Sequence, residues 1–208
     1  SVGTPVDKDI DFKYLDSAAE TVGKALQRGQ LIFLRSTIPP GTTTGRFLPM
    51  LEKHSGMKAG KDFGLAFSPE KTREGVAVED LKRQLKIAGG VDSKSGVLSA
   101  EVLKAFGAEA KALSSPLVAE LSKVVDNNYI QLSVVAQEMM ARLCSEYGID
   151  YTELWGTLDY HRRGNYKPGP GIGGSCLPKD SQMLVAQLEK TGRSETARFF
   201  NDLKRADK

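Results

Sequence analysis

The chain has 208 residues, 40% hydrophobic and 26% charged, enough for one good core or one core plus a smaller helical unit. Lys and Arg number 29 against 26 Asp and Glu, and the net charge of +3 is interspersed, which argues against a nucleic-acid-type basic tract. Two cysteines make no disulfide framework or metal-ligand spacing, and no apolar run approaches the roughly 20 residues that cross a bilayer, so a metal-free protein of the reducing cytoplasm is expected.

Apolar residues at 15, 18, 19, 22, 25 and 26 recur with helical period and predict a helix over Leu15–Leu26. Leu31–Leu34 reads as a buried strand, stopped by Ser36-Thr37-Ile38-Pro39-Pro40-Gly41-Thr42, a turn expected to offer hydroxyls and backbone N–H groups. A helix over Thr43–Leu51 follows, then a strand over Phe63–Phe67 running into Ser68-Pro69-Glu70. A short strand over Leu85–Ala88 is closed by Gly89-Gly90, and a helix over Ser93–Phe106 leads to a weaker strand at Ala110–Leu113. This alternation predicts an α/β unit over residues 1–113, a parallel sheet covered by helices. Its ligands would lie beyond the carboxyl ends of the strands, at Thr37 and at Ser68-Pro69-Glu70.

Residues 114–208 read as helical throughout. Pro116–Tyr147 is a helix of about 48 Å with an apolar stripe, long enough to link two units or to pack on a second subunit. A short helix over Tyr151–Tyr160, a polar loop over 161–168, and helices over Gln182–Leu188 and Thr196–Leu203 complete the chain.

Between the polar loop and the penultimate helix lies Gly169–Ser181, GPGIGGSCLPKDS. It contains a formal GxGxxG match, but no strand precedes it and no acidic strand end follows, so a dinucleotide loop is not expected there. The glycines instead deliver Cys176 to the first turn of a helix, where backbone N–H groups favour thiolate over thiol. Asp180, four residues on, could orient water or accept a proton. Lys123 and Asn127 share a face of the long helix and together could stabilise an oxyanion, the plainer reading being a solvated face. Glu70 and Glu74 are two acids four apart after a strand end, or an ordinary charged helix start. Cys144, within a helical pattern, is expected to be a buried structural thiol.

Taken together, Val2-Gly3-Thr4-Pro5, Ser36 to Thr42, Ser68-Pro69-Glu70 with Glu74-Gly75, Glu120-Leu121-Ser122-Lys123 with Asn127, and Gly171 to Asp180 resemble the UDP-glucose/GDP-mannose dehydrogenase family in order. The resemblance implies a partial Rossmann-like NAD-binding domain and an all-helical central domain through which the protein forms a homodimer. It implies NAD-dependent oxidation of the C6 alcohol of a UDP-sugar, UDP-N-acetylmannosamine or UDP-glucose, through a thioester on Cys176. Lys123 and Asn127 would hold the oxyanion, Asp180 and Glu70 would serve water and thioester hydrolysis, and Thr37 and Glu74 would line the cofactor. Arg162 and Gly173 would contact the sugar. The family's GxGxxG turn and its C-terminal nucleotide-sugar domain have no counterpart here, so the chain alone is expected to show no turnover. The rival expectation is a non-enzymatic dimerisation module derived from such an enzyme.

Overall fold

A computed structural model of the chain describes residues 4, 10–72, 75, 79–80, 83–157, 172 and 176–206, the side chains of residues 176, 204 and 206 excepted. Two compact units are present, Ser1–Val124 and Val125–Lys208.

The first unit holds α1 (Lys13–Ala25), β1 (Leu31–Leu34) and a π-helical turn (Thr43–Phe47) that runs into α2 (Leu48–Ser55). It continues with β2 (Gly64–Phe67), β3 (Lys86–Gly90), α3 (Ser93–Ala105), β4 (Ala110–Leu113) and the first turns of α4 (Pro116–Glu146). The strands lie in the order β1-β2-β3-β4. β1 and β2 are parallel, with Leu34 opposite Phe67, and β3 and β4 are parallel, with Gly89 opposite Leu113. The two pairs meet antiparallel, Phe67 opposite Gly89. The parallel run expected from the alternation is therefore interrupted once. Among the described residues between β2 and β3, 79–80 and 83 are helical.

Leu15 and Ala19 of α1, Leu51 of α2 and Leu34, Leu65 and Phe67 of the sheet form the main core, each under a tenth exposed. Their spacing of four on α1 and two between Leu65 and Phe67 is the periodicity that puts one helix stripe against one sheet face. Ala88, Ala100, Leu103 and Ala110 make a smaller cluster joining α3 to β3 and β4. Asp92 caps α3 by accepting from the Ser95 N–H at 2.9 Å.

The second unit contains the remainder of α4, then α5 (Tyr151–Thr157), α6 (Cys176–Lys190) and α7 (Ser194–Ala206). Its buried apolar residues are Val135, Cys144, Met183, Leu184, Val185, Ala197 and Leu203. Along α4 the apolar positions divide: Val125, Tyr129 and Met140 are 58%, 61% and 49% exposed, whereas Val124 and Val135 are buried. The side that turns inward is mixed, with Glu120, Asn127, Asn128 and Gln131 buried beside Ala119, Val124 and Val135. No helix among the described residues is long and apolar enough to cross a membrane.

Candidate active site

In the first unit, the parallel pairing of β1 and β2 ends both strands on the same side, releasing Arg35-Ser36-Thr37 next to Ser68-Pro69-Glu70. Ser68 N–H donates to the Leu34 carbonyl at 3.0 Å, tying the two exits together. Because β3 runs the opposite way, its first residue, Lys86, arrives at the same end. Glu70 sits between these elements. Its Oε2 accepts from Arg35, its Oε1 accepts from the N–H groups of Lys71 at 2.9 Å and Thr72 at 2.8 Å, and Lys86 Nζ lies 3.9 Å away. Burial pushes the Glu70 carboxyl up, but the Thr72 N–H and hydroxyl, Arg35 and Lys86 together outweigh it, and its pKa lies below the ordinary value. Glu70 is thus a firmly held carboxylate. Such a group is a weak proton acceptor, better suited to orienting a water than to deprotonating one.

Thr37 is partly exposed, and its carbonyl accepts from the Thr4 hydroxyl at 2.5 Å. The N–H groups of the turn, expected to be on offer to a ligand, are in part spent inside the unit. Thr42 N–H donates to the Pro39 carbonyl at 3.1 Å, and Gly41 and Thr43 N–H donate to the Glu120 carboxylate of α4 at 2.5 and 2.8 Å. Buried backbone donors must find acceptors, and with Pro39 and Pro40 in the turn few local patterns remain. A side chain 77 residues away supplies the last two. Glu120 is 1% exposed. Burial pushes its carboxyl above the ordinary range, while the Thr43 hydroxyl and the two N–H groups pull the other way.

In the second unit, α6 opens at Cys176, which stands in the first turn of a helix as expected. Pro178 stands in its first turn, where a missing N–H leaves no helical bond unmade. Asp180 is 1% exposed, and its Oδ2 accepts from the Asn127 side-chain amide at 2.5 Å. Lys179 Nζ lies 3.5 Å from Asp180 Oδ1. Asn127 is therefore buried with its side-chain amide donating to a carboxylate, which removes the solvated-face reading for that residue. Lys123 lies on α4 four residues before it. Cys144 is buried, as expected, and free. Glu74, Arg162, Gly173, the remaining glycines of Gly169–Gly174 and the Cys176 side chain lie outside the described residues.

Sequence reasoning missed Glu120 and Lys86 as contributors. Glu120 stood only as a letter in a motif; its signal was an acid placed between Ala119 and Leu121 in the first turns of an apolar helix.

Residues 1–107 match the UDP-glucose/GDP-mannose dehydrogenase family, NAD binding domain, and residues 117–206 match the same family's central domain. A UDP-N-acetyl-D-mannosamine dehydrogenase of Pyrococcus horikoshii is 33% identical over 204 residues, covering 97% of this chain and 49% of that protein. A GDP-mannose 6-dehydrogenase of Pseudomonas putida is 34% identical over 198 residues, covering 88% of this chain and 44% of that one. The solved structure of a UDP-glucose dehydrogenase from Pyrobaculum islandicum matches with a TM-score of 0.87 at 30% identity, over 100% of this chain and 49% of that chain. The chain spans about half the length of the curated relatives it matches.

Proposed function

The chain belongs to the UDP-glucose/GDP-mannose dehydrogenase family, and from that membership we propose that the whole protein oxidises the C6 alcohol of a nucleotide sugar to a carboxylate with NAD. The observation that supports this best is the buried Asn127–Asp180 bond, which ties the helix opened by Cys176 to the helix bearing Lys123.

NAD suits the first unit, because two parallel strands ending side by side at Leu34 and Phe67 leave the kind of crevice that dinucleotides use. When bound, it supplies the hydride acceptor for each of two oxidations. Thr37 and Glu74 line the cofactor in this reading. The Cys176 thiolate adds to the aldehyde carbon left by the first oxidation, giving a thiohemiacetal whose oxyanion is held by Lys123 and Asn127. Loss of hydride from that carbon gives a thioester. Water then adds, the carbon–sulfur bond breaks, and the thiol and the sugar acid separate. Asp180 and Glu70 orient that water, and Arg162 and Gly173 contact the sugar. The proposed substrate is a UDP-N-acetylhexosamine such as UDP-N-acetylmannosamine, with UDP-glucose second, in keeping with the relatives' names. The proposed setting is the cytoplasm, where both thiols stay reduced.

Alkylation tests the nucleophile directly. With iodoacetamide below the ordinary thiol pKa, Cys176 is expected to label at least about tenfold faster than buried Cys144, read by peptide mass spectrometry. Equal rates would leave an inherited, idle scaffold as the better reading.

The protein also forms a homodimer in this proposal, through the outward stripe of α4. From Val125 to Leu143 it presents exposed apolar residues over about 27 Å, a length suited to a helix of a second copy. Sedimentation as a monomer at micromolar concentration would sink this part.

A further inference from the structure

The geometry points to Glu120 as a positioning residue that fixes the Thr37 turn against the first turns of α4, and thereby holds Thr37 and Lys123 in one register. This rests on the functional reading above. Thr37, Glu120 and Lys123 all belong to the first unit, and Lys123 follows Glu120 by three residues, just under one helical turn.

The carboxylate makes two bonds that no neutral side chain can copy. Oε2 takes the Gly41 N–H and Oε1 takes the Thr43 N–H. Both oxygens of a carboxylate accept, whereas glutamine would turn an NH2 toward one of these donors. The acceptor also stands at the start of the helical run from Thr43 to Ser55, where exposed N–H groups favour negative charge. The turn is held at three places. Thr4 grips the Thr37 carbonyl, Glu120 grips Gly41 and Thr43, and Ile38 and Pro39 are fully buried between them. Gly41 has φ +90°, a left-handed conformation that a side chain would strain, so the turn cannot simply be rebuilt around another anchor.

Burial works against the charge of Glu120. An apolar side chain of the same size would avoid that burden, so stability alone does not explain an acid here. The double acceptor does.

The test compares wild type with Glu120→Gln in the whole protein by amide hydrogen exchange and by steady-state kinetics. Exchange at Gly41 or Thr43 is expected to rise about tenfold or more while the amides of β1 and β2 stay protected. The kcat is expected to fall about tenfold or more with KM for the nucleotide sugar nearly unchanged, because misplaced groups act at the transition state. Glu120→Asp, too short to reach both donors, is the second variant if Glu120→Gln does not fold. Unchanged exchange at both Gly41 and Thr43 would overturn the anchor whatever the kinetics. Raised exchange with unaltered kcat would overturn the positioning role. Absence of turnover in the wild type toward any nucleotide sugar would overturn the proposed function and the positioning role together, with the anchor then judged by exchange alone.

Discussion

Replacing Cys176 with serine is expected to slow production of the sugar acid by about a thousandfold or more in the whole protein. A serine hydroxyl at the start of α6 is not ionised at neutral pH, so it adds poorly to an aldehyde and forms no thioester. The first oxidation does not need the thiol. The expected signature is therefore a split: Cys176→Ser still reduces a small amount of NAD and accumulates aldehyde or its hydrate, while the second oxidation stops. Aldehyde trapping with hydroxylamine and quantification of the acid by mass spectrometry read the two steps separately. If the variant makes acid at the wild-type rate, Cys176 is not the nucleophile. Asp180, on the same helix as Cys176, gives a contrast, because it is fully buried against Asn127 of α4, and its loss would disturb folding as well as chemistry.

Gly89→Ala is expected to be strongly destabilising in the first unit, at about 3 kcal/mol or more and a melting temperature lower by roughly 10 °C. Gly89 lies in β3, paired with Phe67 on one side and Leu113 on the other. A Cβ there would sit 2.1 Å from the Ser115 carbonyl oxygen and 2.9 Å from Pro116 Cα, where α4 begins. Those are backbone atoms, so no side-chain rotamer can yield. Either the strand or the first turn of α4 must move, and the same turn holds Glu120 and Lys123. Gly156→Ala is the control. Gly156 lies in α5 with nothing within 4 Å of an added Cβ, so alanine is expected to stabilise slightly, by about 0.5–1 kcal/mol, through helix propensity. Thermal melts of the two variants should move in opposite directions. A Gly89→Ala protein that melts with the wild type would show that the sheet and α4 have room to separate.

The pair also marks what a sequence conveys about a glycine. Gly89-Gly90 read as the close of a strand, since glycine is a weak strand former. In the structure both residues are inside β3. Their absent side chains make space for backbones that come from 26 residues later and from α3, a demand that arises only when the sheet and the helices are assembled.

Much of the first unit was legible because its signals are local. The apolar spacing over Leu15–Leu26, the four-residue run at Leu31–Leu34 and the paired prolines and Gly41 after it depend on short-range sterics and on one buried face. The identity of Cys176, Asp180, Glu70 and Thr37 as candidates was legible for the same reason, because strand ends and helix starts are where backbone groups are left over. The direction of β3 was not legible, since strand composition is the same whichever way a strand runs.

For α4 the sequence determined a helix and its apolar stripe, but the tertiary structure decided which side faces in. Periodicity assumes that the apolar side is the buried one. Here the buried side combines Ala119, Val124 and Val135 with Glu120, Asn127, Asn128 and Gln131, while Leu117, Leu121, Val125, Leu132 and Leu143 face outward. Burying a polar group is tolerable only when a specific partner meets it. Two of those partners, the Gly41–Thr43 turn and Asp180, come from 79 residues before and 53 residues after the groups they bind. No local pattern encodes such a meeting, and it is this meeting that distinguishes Glu120 and Asn127 from charges and amides on a solvated helix.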